Sequence, residues 1–286
     1  ETTDGGMTIS SSFKVMDENS KYDADAGFTL AFTDGSKLDI LNAGSASSSH
    51  AVSIPSSAGA ESVTVTTSNS ASTGLDFMNA QTVQGVEYHT AADFLADGLK
   101  MSFSASTDSG SSATATYKTD NHFAIGATYV TDLGDSAVTM GGGYQVSDGS
   151  TTGSQPSSGD AGGYHVGLSA VTGDLTVALG IADGDTVSGD ANANEMSGEV
   201  IKAGIKYVTG DLTFNVGVAQ GTSKDNTMGS AGTTEDSKDV TSASVSYAVA
   251  AGITAILGYT DVDSSDEGAN DTTDGSSWYI GANMTF

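Results

Sequence analysis

Apolar side chains recur at every second position in stretch after stretch of this chain. In DLTVALGIADG they are Leu175, Val177, Leu179 and Ile181, with Thr176, Ala178 and Gly180 between them. DLTFNVGVAQG repeats the pattern with Leu212, Phe214, Val216 and Val218, and ITAILGYT with Ile253, Ala255, Leu257 and Tyr259. HFAIGATYV gives Phe123, Ile125, Ala127 and Tyr129, and LKMSFSA gives Leu99, Met101, Phe103 and Ala105. The chain closes on WYIGANMTF, where Trp278, Ile280, Ala282, Met284 and the terminal Phe286 alternate with Tyr279, Gly281, Asn283 and Thr285. Successive residues of a strand face opposite sides. Each stretch is therefore a strand with one apolar face and one face of Gly, Ser, Thr, Asn and Lys.

The alternation predicts fourteen strands, near 7–16, 27–33, 37–42, 83–90, 98–106, 115–130, 136–146, 163–171, 174–182, 198–208, 211–220, 239–248, 252–260 and 277–286. The sixth could be split by a turn at KTDN, 118–121. Short and long connections take turns. The short ones are TDGS at 33–36, VTDLGDS at 130–136, VTGDL at 171–175 and again at 208–212, and AVAAG at 248–252. The long ones lie near 17–26, 43–82, 106–116, 147–161, 183–197, 221–238 and 261–276, and they hold both prolines, Pro55 and Pro156. An up-and-down β-barrel with tight turns at one end and long loops at the other has this rhythm.

Composition narrows the class. Only 37% of residues are hydrophobic, so either the chain is disordered or its apolar residues form one thin layer. Regular alternation excludes disorder. No run of 18 apolar residues exists, which excludes a membrane-spanning helix, and no signal peptide is legible. A soluble sandwich would carry long charged side chains on its outward face; here the polar face is small, and each apolar band suits a transmembrane strand. The expected fold is all-β, one transmembrane antiparallel up-and-down β-barrel domain over 1–286.

Aromatic placement agrees with a membrane. Tyr129, Tyr207 and Tyr247 precede short turns, at the same edge as Phe286. Tyr144, Tyr164, Tyr259 and Trp278 stand beside long loops at the other edge. Two such girdles fit the headgroup levels of a bilayer; the competing reading is core aromatics of a soluble barrel. The 36 Asp+Glu against 9 Lys+Arg, all of them lysine, give a formal charge of −27 and argue against nucleic acid as a partner. With no cysteine, disulfides and thiolate metal sites are excluded.

Taken in order, ETTDGGMTISSSF at 1–13, KLDILNAGSA at 37–46, the VTGDLT repeats and the terminal WYIGANMTF resemble the porins of α-proteobacteria, within the Gram-negative outer-membrane porin family. The resemblance implies a bacterial outer-membrane location, homotrimers in lipid and lipopolysaccharide, and sixteen strands. Fourteen in this chain would leave about two strands before Glu1, the alternative being a genuine fourteen-stranded barrel. An aromatic C-terminus resembles the assembly signal of such barrels. The resemblance also implies that 43–82 is the loop that folds into the lumen and narrows it.

Strand parity places Lys14, Lys100, Lys118, Lys202 and Lys206 on the lumen side with Glu87, His89, His122 and His165. In porins of this kind a basic wall faces acidic residues of the inserted loop. Here that loop offers Glu61 and Asp76, and arginine is absent, so a weak transverse field is expected. Acidic loops such as DVDSSDEGANDTTDG bring Asp261, Asp263, Asp266 and Glu267 together, which suits loosely bound Ca²⁺, although the spacing is not that of an EF-hand. As an acidic rim they would concentrate cations. No catalytic triad, G-x-S-x-G or phosphate loop is present, so an enzyme is not expected. The sequence points to passive diffusion of small hydrophilic solutes and ions, with a mild cation preference. A substrate-specific channel and an acidic, calcium-dependent surface protein are the rivals.

Overall fold

The computed structural model describes residues 3, 5–12, 27–56, 83–108, 117–151, 158–186, 193–227, 233–265 and 272–285. Fourteen strands appear in them: β1 (Thr8–Ser12), β2 (Gly27–Ala31), β3 (Lys37–Ala43), β4 (Val83–His89), β5 (Leu99–Asp108), β6 (Tyr117–Leu133), β7 (Ser136–Thr151), β8 (Ser158–Thr172), β9 (Leu175–Thr186), β10 (Ala193–Thr209), β11 (Leu212–Thr227), β12 (Thr233–Ala250), β13 (Ile253–Ser265) and β14 (Thr272–Met284). They form one sheet in the order β1 to β14, each antiparallel to its neighbours in sequence. This is the up-and-down barrel wall that the alternation predicts.

The two faces differ as the sequence requires. Leu179 is 50% exposed, Val216 48%, Leu257 48% and Ile280 86%, all on one face. The other face is covered: Ala178 and Ala182 are each 2% exposed and Ser244 5%. Among the described residues the buried hydrophobic cluster is no more than Ala182 with Val200. A globular protein buries its large side chains in a contiguous core. This wall turns them outward, where only lipid can cover so continuous an apolar belt.

The tight turns explain their own sequences. Leu133 pairs with Ser136, Thr172 with Leu175 and Thr209 with Leu212, leaving Gly-Asp as the two-residue loop each time. Gly134, Gly173 and Gly210 have φ of 65°, 56° and 55°. A positive φ at the first loop position and not at the Asp that follows makes each a II′ hairpin, whose twist matches the strands it joins. In the turn after β2, the carboxylate of Asp34 accepts from the Ser36 backbone N–H (2.9 Å) and hydroxyl (2.7 Å). Those bonds hold its pKa below the ordinary carboxylate value, the hydroxyl contributing most.

Two expectations change. KTDN does not split the sixth strand: β6 runs through it, with a register break between Asp120 and Phe123 and Asn121 at φ 51°. A bulge with Asn in the left-handed region accommodates the polar stretch without ending the strand. The ladders also run further than the apolar bands. β11 and β12 stay in register through Ser223↔Asp236 and Asn226↔Thr233, inside what the sequence reads as a loop. Beyond the lipid both faces are wet, so pairing continues after the alternation has stopped.

Candidate functional site

The site is the contact between the inner face and the segment that follows β3. The segment 44–56 leaves the end of β3, makes a single 3₁₀ turn at Ser48–His50, and passes into extended backbone at Ala51. Small polar side chains hold its first half. Ala46 N–H donates to Ser104 Oγ (2.9 Å), Ser45 Oγ donates to Gln145 Oε1 (3.2 Å), and His165 Nε2 donates to the Ser47 carbonyl (2.8 Å). Ser45, Ala46 and Ser47 are fully covered. These contacts tie the segment to β5, β7 and β8.

Glycines seat it. A Cβ on Gly126 of β6 would stand 2.2 Å from the Ala46 carbonyl oxygen, and one on Gly143 of β7 would stand 2.5 Å from Ser47 Cα. Further along, Val52 lies over Gly167 of β8, Ile54 over Gly180 of β9, and Pro55 over Gly204 of β10 and Gly217 of β11. Glycines on successive strands thus make a track across the inner wall. Without side chains there, the wall admits the segment's backbone at Gly126, Gly143, Gly204 and Gly217 and the side chains of Val52 and Ile54 at Gly167 and Gly180. Gly204 is the tightest point: a Cβ would be 2.0 Å from the Pro55 carbonyl oxygen.

His50 is the polar anchor. Its Nδ1 lies 2.7 Å from Thr128 Oγ1 and its Nε2 2.8 Å from Ser102 Oγ, on β6 and β5. Burial pushes its pKa down to about 4, with His89, His165 and Lys100 adding smaller electrostatic contributions in the same direction. His50 is therefore neutral near pH 7. Ser102 Oγ is also 2.8 Å from His89 Nδ1, and His89 Nε2 is 3.0 Å from Asp39 Oδ2. Ser49 Oγ donates to Glu87 Oε1 at 2.7 Å, and Lys37 Nζ to Asp39 Oδ2 at 2.9 Å. One chain of contacts thus runs from β3 to β6 through the segment.

The parity assignments can now be placed. Glu87, His89, Lys100, His122, His165, Lys202 and Lys206 share the inner face with Ser102, Gly126 and Gly204, as the registers of β4 to β10 require. Lys202 borders a cavity of about 330 Å³ beneath Val52 and Ile54. Lys100 borders another of about 440 Å³ beside Lys37, Ser49 and His89. Lys118 belongs to β6, but its side chain lies outside the described residues. So do Lys14, Glu61, Asp76, Asp266, Glu267 and Phe286.

The aromatic residues line the apolar face at its two ends. Tyr144 pairs directly with Tyr164, and Tyr259 with Trp278, their ring centroids 4.7 Å apart. Tyr129, Tyr207 and Tyr247 pair with Leu99, Leu175 and Leu212 near the turns. Asp261 and Asp263 lie not in a loop but in β13, opposite Ser276 and Asp274. There the ladder continues past the apolar band. Among the described residues, the one cluster with metal-ligand spacing lies elsewhere, at Asp39, Glu87 and His89.

Sequence reasoning missed His50, Asp39 and Ser102. The signal was GSASSSH at 44–50, a run of small polar residues that can pack closely, opposite glycines at inner positions of successive strands.

No protein-family model and no curated protein sequence matches the chain. Solved structures do. A porin refined at 1.8 Å resolution matches with a TM-score of 0.62 and 17% identity, over 100% of this chain and 89% of that one. OmpF of Salmonella typhi, in complex with daunomycin, matches with a TM-score of 0.59 and 14% identity, over 94% and 80%. The trimer form of OmpT, an outer membrane protein of Vibrio cholerae, matches with 0.56 and 15%, over 95% and 83%. At these identities the likeness is one of fold: this chain has the β-barrel architecture of those proteins.

Proposed function

We propose that this chain is a bacterial outer-membrane porin, passing small hydrophilic solutes and ions by passive diffusion with a mild cation preference. The observation that carries the reading is the seating of segment 44–56 on the inner-wall glycines, a segment inside a barrel whose outside is apolar. Water fills a lumen lined by small polar groups, the segment narrows it, and fixed charge biases which ions enter. A formal charge of −27 favours cations, opposed locally by Lys100, Lys202 and Lys206. No chemistry is assigned to the wall, and the protein is read as a channel rather than an enzyme.

The remaining features belong to the same reading. Loop 43–82, with Glu61 and Asp76, acts as the constriction. The α-proteobacterial porin type is supported by the quoted motifs, and a homotrimer by the trimer form among the similar structures. Lipid and lipopolysaccharide surround it, with Ca²⁺ loosely held along the acidic strand ends.

Planar-bilayer recording in a salt gradient tests the proposal. Ohmic steps grouped in threes, with a reversal potential of cation-preferring sign, are expected. Absence of conductance from correctly folded protein would reject it.

A further inference from the structure

On β3 and β4, Asp39 stands directly opposite Glu87 in the antiparallel register, with His89 two residues on and on the same face. Like charges directly opposite one another in a sheet are destabilising. Glu87 is only 2% exposed, so water does not relieve the repulsion. Its hydrogen bond comes from the neutral Ser49 hydroxyl. The cation beside the pair, Lys37, reaches Asp39 from a side chain that is 46% exposed. A buried carboxylate needs a compensating charge, and this arrangement supplies an incomplete one.

We propose that Asp39, Glu87 and His89 bind one divalent transition-metal ion, with Zn²⁺ the best match to one imidazole nitrogen and two carboxylates. The ligand atoms already lie within 4.8 Å of one another. His89 Nε2 is 3.0 Å from Asp39 Oδ2 and 3.5 Å from Glu87 Oε1. Metal–ligand bonds of about 2.0–2.1 Å at tetrahedral angles put neighbouring ligand atoms roughly 3.3 Å apart. Those two separations bracket that value.

The surroundings orient each ligand as metal sites do. Ser102 Oγ holds His89 Nδ1 at 2.8 Å and leaves Nε2 facing the carboxylates. The Thr29 hydroxyl engages the other oxygen of Asp39, and Ser49 donates to Glu87. The ion takes the place of the Lys37 ammonium on Asp39 Oδ2, and the exposed lysine swings into the adjoining cavity. That cavity, about 440 Å³ and lined by Lys37, Ser49, His89 and Lys100, is the entry path and the room for a water ligand. The inference stands on three residues of adjacent strands and does not depend on the channel reading.

Detergent-solubilised full chain, stripped with a chelator, is titrated with zinc chloride in excess Mg²⁺ and Ca²⁺ that occupy the acidic strand ends. One Zn²⁺ per chain is expected. His89→Gln and Asp39→Asn should each weaken it tenfold or more, while Asp183→Asn, on the outer face, leaves it unchanged. X-ray absorption of zinc on the unmodified protein needs no variant to fold and should show one imidazole nitrogen with carboxylate oxygens. Non-saturating binding, equal affinity in the variants, or a zinc shell of oxygen alone would each overturn the site.

Discussion

The Pro55 carbonyl oxygen lies 2.0 Å from where a Cβ on Gly204 would stand, so the two residues meet only because one has no side chain. The contact fixes the far end of the segment that crosses the inner wall, much as the bonds of His50 fix its near end.

Gly204→Val should therefore lift the segment without dismantling the barrel. Overpacking of this kind costs about 1–3 kcal/mol, and the cost is met most cheaply by moving Pro55. Faster proteolysis within 44–56 and a changed single-channel conductance are expected. Gly281→Ala, at an inner position with open space around it, should behave like the unmodified protein. Equal behaviour of the two variants would argue against the glycine track.

Acid should loosen the near end. In the seated segment the pKa of His50 is about 4, against an ordinary 6.5. A released His50 therefore binds its proton more readily than a seated one. Seating is at full strength above about pH 6.5 and weakens as pH falls toward 4. Lys100, His89 and His165 face the ring and oppose a second positive charge, while Glu87 reaches the segment through Ser49. Hydrogen exchange of 44–56 should rise across that window, and His50→Gln should flatten the profile. A flat profile in the unmodified protein would remove His50 from this role.

The two faces should respond oppositely to charge. Leu179 is an outward residue at half exposure, whereas Lys206 is inward and exposed. Leu179→Arg places a charge in lipid, which costs about 2–4 kcal/mol near the midplane of a barrel. Its folding midpoint in urea should fall accordingly. Lys206→Glu should leave the midpoint nearly unchanged and shift the reversal potential toward stronger cation preference.

Strands and their sidedness were legible because lipid demands apolar groups on one face and water accepts almost anything on the other. Val177, Leu179 and Ile181 against Thr176, Ala178 and Gly180 are enough to read β9. The strand ends were not. Ser223 and Lys224 pair with Asp236 and Glu235 where both faces are wet, so no alternation marks them. The segment seat was partly legible. Parity put His89 and His165 inside, but His50 lies between alternating stretches rather than in one, and its partners Ser102 and Thr128 come from two different strands. The track glycines are spread from Gly126 to Gly217, and only the pairing of β6 to β11 side by side brings them into one line.

The central claim is that lipid covers one face of these strands and water the other. A chain without cysteine allows single-cysteine labelling to test it residue by residue. Cysteines at 205, 214, 216 and 247 in reconstituted vesicles should be quenched by lipid-borne probes and ignored by a charged thiol reagent. Cysteines at 206, 213 and 246 should do the reverse. Labelling without this period of two, or a protein that stays dissolved without detergent while positions 205 and 216 resist both probes, would contradict the account.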